Sequence, residues 1–538
     1  MLYLGTGGKI MLRDIRKIGK KLGLNEKDLS LYGFDKAKIL NTNLSPNGKL
    51  ILVSAMNPGK FGEGKTTVSI GLGDALALLG KKVCLALREP SLGPVFGVKG
   101  GATGGGKTCI EPKSDINLHF TGDFHAITSA NNLLCAMIDN HIFQGNLLNI
   151  DPDRVLFKRC MDMNDRALRE ITISEEKIKN NVQRHDGFDI TAGSEIMAIL
   201  CLAKDLDDLK RRCGNIVIGF DRDGKQLYAK DLKAQEAMAI LLKDAIKPNL
   251  VQTTANTPAI VHGGPFANIA HGCNSVIATK TALSLADYVV TEAGFGADLG
   301  GEKFLDMKCR LNNLNPNMVV VVATVKALKL HGNDDVKAGF ANLERHVNNM
   351  RNVFNKKVVV ALNKFADDKK KDIDTIMALC EKINVKCIIS DGFNKGGKGC
   401  TALAQEVVKI CDEPLTPLHF AYNNKDNIEK KANDLAKNIY GAKNVEFSPK
   451  AKEKIKYFEN IAKNYPIIMA KTQYSFSDDP LLLNAPTNYT FHVSDIELKN
   501  GAEFLVLIAG KMSLMPGLPK VPNAEKMEII DGQIYNLK

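Results

Sequence analysis

The sequence predicts an α/β fold: a large domain with a parallel sheet and a phosphate-binding loop, and two smaller α/β or α+β domains. Three observations near the start of the chain support this prediction. A short apolar run occupies 50–53, a glycine-rich loop ends at Thr66, and a leucine- and alanine-rich segment follows. Strand, phosphate loop and helix in this order are typical of the start of a nucleotide-binding unit.

The glycine-rich loop has the spacing of a phosphate site. The run 50–53 is long enough for one buried parallel strand, and the helix predicted over 66–79 lacks proline and can end at Gly80. Glycines let successive backbone N–H groups converge on an oxyanion, and the helix presents its positive N-terminal end. Lys65 would neutralise β/γ-phosphate charge, and the Thr66 hydroxyl would bind Mg²⁺. The alternative is a glycine turn with a solvated lysine. The residues predicted to bind nucleotide are Gly59, Lys60, Phe61, Gly62, Glu63, Gly64, Lys65 and Thr66.

A second stretch, 101–108, has the same spacing but no clean strand before it and Pro112 in place of a helix after it. We therefore expect it to be a flexible, anion-friendly segment near the first loop, with little side chain in the way.

A second buried strand is predicted over 82–87, which implies a parallel pair joined by a right-handed crossover. Arg88 and Glu89 follow it at the carboxyl edge of the sheet, where ligands bind in open α/β folds. They are site candidates, and the alternative is an edge ion pair. Further strands are predicted at 215–219, 285–291, 318–323, 357–362 and 387–390.

His119, Asp123 and His125 have irregular spacing, which favours structural polar residues over a metal site. Helices alternate with strands to about residue 400, and the composition then shifts towards Lys, Asn and Asp. We predict domains at 1–355, 356–442 and 443–538, with the prolines of the last segment indicating short strands and turns.

Composition limits the function classes. The chain has 538 residues, 44% hydrophobic and 25% charged, and a net charge of +12, which suits acidic small molecules such as nucleotides. No basic block interleaved with aromatics indicates nucleic acid, and no run of about 18 apolar residues indicates a membrane helix. Twelve scattered cysteines indicate free thiols in a reducing compartment, and hence a cytoplasmic protein. The basic stretch 1–21 is expected to lead into a helix rather than to be a targeting peptide.

Several long strings resemble the formate–tetrahydrofolate ligase family, in family order and over almost the whole chain. The resemblance is to the single-function bacterial type. The strings lie at 61–67, 87–94, 115–123, 162–169, 262–273, 291–298, 470–475 and 515–519.

The resemblance implies that formate, ATP and tetrahydrofolate give 10-formyltetrahydrofolate, ADP and phosphate through formyl phosphate. Lys65 would serve the transferring phosphoryl group, and Arg88 would grip formate or formyl phosphate in a planar, bidentate manner. Asp123 would face the same cavity and orient the folate amine or take its proton; the alternative is a buried hydrogen-bonding carboxylate. Phe365 and Phe393 match the two aromatics that clamp the pterin ring, although the family usually has Trp at the second position. Mg²⁺, a monovalent cation, polyglutamylated folate and a homotetramer are further expectations from the resemblance.

The chain departs from the family pattern at 57–62, at Lys107, at Ala255 and over 171–183, where a helix-prone charged segment replaces a glycine-rich loop. Because Lys65, Arg88 and Asp123 are retained, we favour a working ligase with altered kinetics. The alternatives are a nucleotide-driven switch with a protein partner, a silent relative that binds ligand without turnover, and a ligase for a larger acid.

Overall fold

The computed structural model describes residues 3–5, 8–10, 12–42, 45–59, 62–98, 102–174, 181–510 and 512–537. Lys60 and Phe61, which are predicted to bind nucleotide, lie outside the described residues, as does 175–180.

One large sheet organises the fold. Its twelve strands, numbered here in chain order, are β1 Leu29–Leu31, β2 Ala37–Ile39, β3 Lys49–Ala55, β4 Val83–Leu87, β5 Gly104–Gly105, β6 Thr108–Glu111, β7 Asn249–Thr253, β8 Pro258–Val261, β9 Tyr288–Glu292, β10 Met318–Ala323, β11 Lys357–Asn363 and β12 Lys386–Ser390.

The sheet is mixed, whereas the sequence predicts a parallel one. The seven strands in the order β12-β11-β10-β3-β9-β4-β8 are mutually parallel. From β8 onwards the order β8-β7-β2-β1 is antiparallel, and the hairpin β5-β6 attaches antiparallel to β7. The difference arises because β7 and β8 are joined by the short connection 254–257, which permits only an antiparallel pair.

Strand β3 lies within the parallel part and is covered on both faces. Leu50 and Leu52 pack into one core cluster, while Ile51 and Val53 pack into another on the opposite face. Successive side chains of a strand point to opposite faces, so a continuous apolar run is what a doubly covered strand requires. The α/β prediction for this region is therefore confirmed.

The helix predicted after the loop spans Lys65–Leu78 and is buried from Thr67 to Leu76. Gly80 has a φ of +74°, which suits a glycine just past the helix end.

Residues 356–442, predicted to be a separate domain, contribute β11 and β12 to the same sheet. The domain division itself stays a prediction. The C-terminal part forms a four-stranded sheet whose strands, in spatial order, are Asn444–Phe447, Thr490–Lys499, Phe504–Ala509 and Ile467–Ala470.

The strand predicted at 215–219 is found at Val217–Asp221, but outside the main sheet. It pairs antiparallel with Ile150–Val155 and Gln226–Tyr228. The segment predicted to favour a helix at 171–183 begins instead with a strand, Ile171–Ile173, because pairing with Arg184–Asp186 overrides local propensity. The remaining strand pairs are Tyr3–Gly5 with Gly8–Ile10, Arg159–Met161 with Phe188–Ile190, and Glu528–Ile530 with Gln533–Tyr535.

The α-helices surround these sheets. Within the described ranges, none is both long enough and apolar enough to cross a membrane. They span Ile15–Lys21, Lys65–Leu78, Leu92–Phe96, Lys113–Asn117, Asp123–Phe143, Glu195–Leu202, Leu206–Gly214, Gln235–Leu242, Val276–Leu285, Arg310–Asn312, Val325–His331, Val336–Asn348, Lys370–Lys382, Gly392–Lys395, Thr401–Cys411, Ile428–Leu435 and Pro449–Ala462.

The central strand supplies a stability prediction. Leu52→Ala should lower the free energy of unfolding by about 2–5 kcal/mol, because it leaves a cavity beside a fully buried strand. Leu78→Ala is the matched control, since that side chain is 60% exposed. Denaturant titration of both variants checks the difference, and equal midpoints would contradict the placement of β3 in the core.

Candidate functional site

The candidate site lies at the carboxyl edge of three neighbouring parallel strands, β3, β9 and β4. The glycine-rich loop follows β3, Glu292 is the last residue of β9, and Arg88 follows β4 directly. Because parallel strands end at the same edge, residues far apart in the sequence meet there.

Two glycines shape the loop that follows β3. Gly62 and Gly64 have φ values of +76° and +68°, a region that side-chain-bearing residues rarely adopt. Gly64 caps the helix that starts at Lys65, and a Cβ added there would lie 2.4 Å from Asn363 Nδ2. The same Asn363 amide donates to the carbonyl of Glu63 at 3.1 Å, so this position requires glycine.

Glu63 braces the loop from inside. Its Oε1 accepts from the Gly59 N–H at 2.7 Å, and its Oε2 accepts from Thr324 Oγ1 at 2.5 Å. Burial raises the pKa of Glu63, whereas these two hydrogen bonds and the charge of Lys65 act to lower it. The side chain therefore points into the protein, and only its backbone is available to a ligand.

Lys65 and Thr66 begin the helix and face an acidic residue on β9. The Thr66 hydroxyl donates to Glu292 Oε2 at 2.9 Å, and Glu292 is buried. Desolvation lowers the pKa of Lys65, the charge of Glu292 opposes this effect, and the nearby Arg88 adds to it. The surroundings of Lys65 therefore disfavour its charged form, and an anionic ligand would supply counter-charge that favours it.

Arg88 is held on one side and open on the other. Its Nη1 donates to the Pro265 carbonyl at 3.0 Å, whereas its buried Nε has no hydrogen-bond partner among the described residues. Gly294 allows the guanidinium to lie close, since a Cβ there would come within 2.9 Å of Nη1. The free N–H edge is a donor suited to a carboxylate or a phosphate.

Lys65, Thr66 and Arg88 share one cavity of about 420 Å³. The rest of its wall comes from five parts of the chain, one of them in the C-terminal part. The other lining residues are Glu89, Pro90, Ser91, Pro94, Val95, Val98, Ala102, Asn164, Gly264, Phe266, Ala267, Asn268, Ile269, Phe295, Ser513, Pro516 and Gly517.

Glu89 brings a carboxyl group to the same cavity. Burial first, and then the charge of Asp123, raise the pKa of Glu89 well above its usual range. Its Oε2 is buried without a hydrogen-bond partner in the described part of the chain. Arg88 and Glu89, which are predicted as a pair, therefore both lie at the cavity, but they do not form an ion pair with each other.

Asp123 is not among the residues that line the cavity. It begins the helix Asp123–Phe143, where its Oδ1 accepts from Lys38 Nζ at 2.7 Å and its Oδ2 accepts from Asn249 Nδ2 at 2.8 Å. Lys38 and Asp123 are both buried, so the carboxylate is fully engaged inside the protein. These contacts favour the alternative of a buried hydrogen-bonding carboxylate, while its catalytic role stays a prediction.

Phe365 and Phe393 follow the adjacent strands β11 and β12 at the same sheet edge. Phe365 is half-buried, with Lys326 Nζ 4.7 Å from the centre of its ring. Phe393 is 53% exposed, as a ring that stacks on a ligand must be. The topology thus brings both predicted aromatics to one edge, and their joint role stays a prediction.

The second glycine-rich stretch is a hairpin, β5-β6, rather than a flexible loop. The Lys107 N–H donates to the Phe393 carbonyl at 2.9 Å, and Gly106 has no room for a Cβ, which would lie 2.8 Å from Phe393 Cγ. The stretch does lie near the start of the first helix, since a Cβ on Gly105 would be 3.7 Å from Thr67 Oγ1. Its glycines support the exposed ring of Phe393.

His119, Asp123 and His125 do not form a metal cluster. No group of three or more His, Cys, Asp or Glu side chains that could hold a metal occurs in the described portion of the chain.

Sequence reasoning missed Glu292, Phe295 and the cavity residues at 513–517. Glu292 carries a signal: it is the acidic last residue of an otherwise apolar strand, Tyr288–Glu292, and the sequence predicts a phosphate loop nearby. Phe295 has a φ of +56°, a strained backbone conformation that no sequence pattern indicates. The contact of 513–517 with the cavity depends on tertiary packing alone.

The fold and the cavity define a class: an α/β protein that gathers a lysine, an arginine and buried carboxylates around a glycine-turned loop, suited to anionic substrates. The sequence model of the family described as formate–tetrahydrofolate ligase matches residues 7–538. The chain belongs to the formate–tetrahydrofolate ligase family.

Individual relatives agree with this assignment. The chain is 54% identical over 540 residues to the formate–tetrahydrofolate ligase of Campylobacter concisus, and 52% identical over 544 residues to that of Symbiobacterium thermophilum. In both comparisons 98% of each chain is covered. The formate–tetrahydrofolate ligase of Campylobacter curvus is 53% identical over 530 residues, with 96% of each chain covered. The resemblance inferred from the sequence is confirmed.

The loop geometry supplies a second prediction. Gly64→Ala should weaken ATP binding at least about tenfold, because the new methyl group meets the Asn363 amide and moves the loop backbone. Gly80→Ala is the matched control: Gly80 also has a positive φ, but nothing lies within 4 Å of its Cβ position. Calorimetric titration with ATP checks both, and equal losses would show that backbone strain alone is responsible.

Proposed function

We propose that this protein ligates formate to tetrahydrofolate, converting ATP to ADP and phosphate and giving 10-formyltetrahydrofolate. Membership of the family across 7–538 supports the overall reaction. The observation that carries the proposed mechanism is the single cavity shared by Lys65 and Arg88, beside a helix N-terminus.

The glycine-rich loop is proposed as the phosphate-binding loop. Its backbone turns at Gly62 and Gly64, the helix begins at Lys65, and the Glu63 side chain holds the turn from behind. Backbone N–H groups and the helix dipole together favour an anion at this point. Gly59, Lys60, Phe61, Gly62, Glu63, Gly64, Lys65 and Thr66 are the residues proposed to surround the nucleotide phosphates.

The chemistry is proposed to proceed in two displacements. Formate is a poor electrophile because its negative charge is shared by both oxygens. A formate oxygen attacks the γ-phosphorus, the bond to the β,γ-bridging oxygen breaks, and ADP leaves with that electron pair. The folate amine then attacks the formyl carbon of formyl phosphate, phosphate leaves, and the amine loses a proton.

In this proposal Lys65 and Arg88 neutralise the charges of different groups, the transferring phosphoryl group and formate. Lys65 neutralises charge on the transferring phosphoryl group, and a bound phosphate would restore its pKa towards the usual range by supplying counter-charge. Arg88, fixed through Nη1, presents its open edge to the carboxylate of formate. Both cations reduce the repulsion between formate and ATP, and they hold the reacting atoms in position.

Thr66 is the proposed Mg²⁺ ligand, and Glu292 is a second oxygen next to it. Mg²⁺ prefers oxygen ligands and is usually held by one or two protein groups together with substrate phosphates. Thr66 and Glu292, beside the proposed phosphate site, fit this arrangement. When bound, the ion would neutralise phosphate charge. A monovalent cation is also proposed, and the unpartnered Glu89 Oε2 is a donor in the cavity that fits one.

Asp123 is proposed to act on the folate amine. Because its carboxylate is bonded to Lys38 and Asn249, accepting a proton would require exchange of the Lys38 contact. Phe365 and Phe393 are proposed to clamp the pterin ring, with Phe393 offering less stacking area than a tryptophan.

The family resemblance supports a homotetramer that accepts polyglutamylated folate as further proposals. The composition of the chain supports a cytoplasmic location and no membrane or nucleic-acid partner, which are proposed as well. All twelve cysteines are free and buried, which supports a reducing compartment. The rival functions are a nucleotide-driven switch, a silent relative that binds ligand without turnover, and a ligase for a larger acid. A coupled assay distinguishes them: ADP release that requires both formate and tetrahydrofolate supports the ligase, and release indifferent to folate favours the switch.

Removing the central cation provides a third prediction. Lys65→Ala should lower formate-dependent ADP release about 10³-fold, because one preorganised charge at the transferring phosphoryl group is lost. Lys81→Ala, beyond the other end of the same helix, is the matched control and should retain turnover. Unchanged turnover in Lys65→Ala would contradict the phosphate role.

The exposed aromatic ring provides a fourth prediction. Phe393→Ala should raise the KM for tetrahydrofolate about tenfold, since a stacking surface is lost, and leave ATP binding within about twofold. Phe143→Ala, a partly exposed aromatic at the end of another helix, is the control. Initial-rate kinetics in each substrate checks this, and a change in ATP binding alone would place the pterin elsewhere.

A further inference from the structure

Asn57 lies between β3 and the phosphate loop and is fully buried. Its backbone N–H, its backbone carbonyl and both atoms of its side-chain amide each bond to residues of other elements. The partners lie on two helices, on the segment after β9, and in the C-terminal part of the chain: His331, Asn342, His346, Asp298 and Gln473.

The donor side of the Asn57 amide reaches a buried ion pair. Its Nδ2 donates to Asp298 Oδ1 at 3.1 Å and to the Gln473 carbonyl at 3.2 Å. The other Asp298 oxygen accepts from Lys471 Nζ at 2.7 Å, and both charged side chains are fully buried. Desolvation lowers the pKa of Lys471, and Asp298 opposes this effect. Asn57 thus helps to satisfy a carboxylate that has no access to water.

Two hydrogen bonds, one accepted and one donated, join Asn57 to the helix Val336–Asn348. Asn57 Oδ1 accepts from Asn342 Nδ2 at 2.9 Å, and the Asn57 N–H donates to His346 Nε2 at 3.0 Å. Burial lowers the pKa of His346 to about 3, so this imidazole is neutral at pH 7 and can accept. The same Asn342 amide donates to the Asn484 carbonyl at 2.6 Å, which extends the network into the C-terminal part.

The carbonyl of Asn57 is held by a histidine whose tautomer is fixed. His331 Nδ1 accepts from the Asn484 N–H at 3.0 Å, so the ring proton is on Nε2. Nε2–H therefore donates to the Asn57 carbonyl, at 3.2 Å. Asn484 is thus bonded to both His331 and Asn342, and Asn57 connects this network to the loop.

We propose that Asn57 is a positioning residue that sets the geometry of the phosphate loop from the C-terminal part of the chain. Asn57 fixes the segment that enters the loop, and the contact between the Gly59 N–H and Glu63 Oε1 links that segment to the start of the helix. With both points held, the backbone N–H groups from Gly62 to Thr66 keep a fixed direction relative to a bound phosphate. This inference rests on the proposed function, because it assigns the loop to ATP.

The chemistry of the side chain explains why an amide is needed. Asp298 requires a donor and Asn342 Nδ2 requires an acceptor, and one amide supplies both from a single group. An aspartate at position 57 would place a second carboxylate about 3.1 Å from Asp298, inside the protein. A leucine would fill the volume but leave Asp298 and Asn342 each without one hydrogen bond.

Steady-state kinetics of Asn57→Leu, with the full-length protein, tests the inference. We expect the KM for ATP to rise about tenfold, while the KM for formate and for tetrahydrofolate stays within about twofold. Asn57→Asp should raise it further, because the added carboxylate repels both Asp298 and the phosphates. Asn349→Leu is the matched control: it removes another buried amide, whose Nδ2 donates to the Ile439 carbonyl at 2.9 Å.

An equal KM for ATP in Asn57→Leu and wild type would overturn the inference, and so would an equal rise in Asn349→Leu. If Asn57→Leu does not fold, Asn342→Ala replaces it and should raise the KM for ATP about threefold, since Asn57 Oδ1 loses its Asn342 Nδ2 donor. Calorimetric titration with Mg-ATP separates this inference from the proposed function. Wild-type protein that binds ATP without formate-dependent turnover refutes the ligase, whereas the comparison of Asn57→Leu with Asn349→Leu still decides the role of Asn57.

Discussion

The closeness of two cations, Lys65 and Arg88, is the constraint on which the site depends. Each is placed by the end of a parallel strand, and the charge of Arg88 helps to lower the pKa of Lys65. Glu292 offsets part of this repulsion from the strand that lies between them, and it also binds the Thr66 hydroxyl. These two like charges lie close together because the strands that position them end at the same edge of the sheet. The resulting positive potential, in a cavity partly shielded from water, is what a phosphate or carboxylate substrate would relieve.

The site and the scaffold are therefore not independent. The loop that follows β3 is stabilised by Glu63 from one side and by Asn363, at the end of β11, from the other. Arg88 is aligned by a backbone carbonyl and packs against Gly294, just past β9. Contacts of this kind are made by buried groups with defined directions, and they restrict motion of the site without using any atom that a substrate needs.

Much of the local structure could be predicted from the sequence. Strand β10 was predicted at its observed bounds, and the helix after the glycine-rich loop within one residue, because continuous apolar runs and glycine breaks are strong local signals. The antiparallel part of the sheet was missed, since strand direction depends on how short connections fold back. The hairpin at Gly105 was read as a flexible loop, because its order comes from contact with Phe393, which is distant in the sequence.

The site could be predicted only in part, for a similar reason. Lys65 and Arg88 follow recognisable strands, so sheet geometry alone brings them together. The surroundings of Asp123 could not be predicted from spacing, because Asp123 begins a helix and its partner Lys38 lies on β2, in the antiparallel part of the sheet. The network around Asn57 joins residues separated by more than 400 positions, and no local pattern marks such a junction.

The continuation of the sheet through β11 and β12 has a consequence for how this chain can be divided. β10 carries six fully buried apolar residues and is bonded along its whole length to β11. A fragment that stopped near residue 355 would leave that row of backbone groups as an open, hydrophobic margin. Such margins recruit strands from other molecules and promote aggregation. A cut at the predicted domain boundary near residue 355 would therefore expose β10 in the part of the protein that holds the glycine-rich loop.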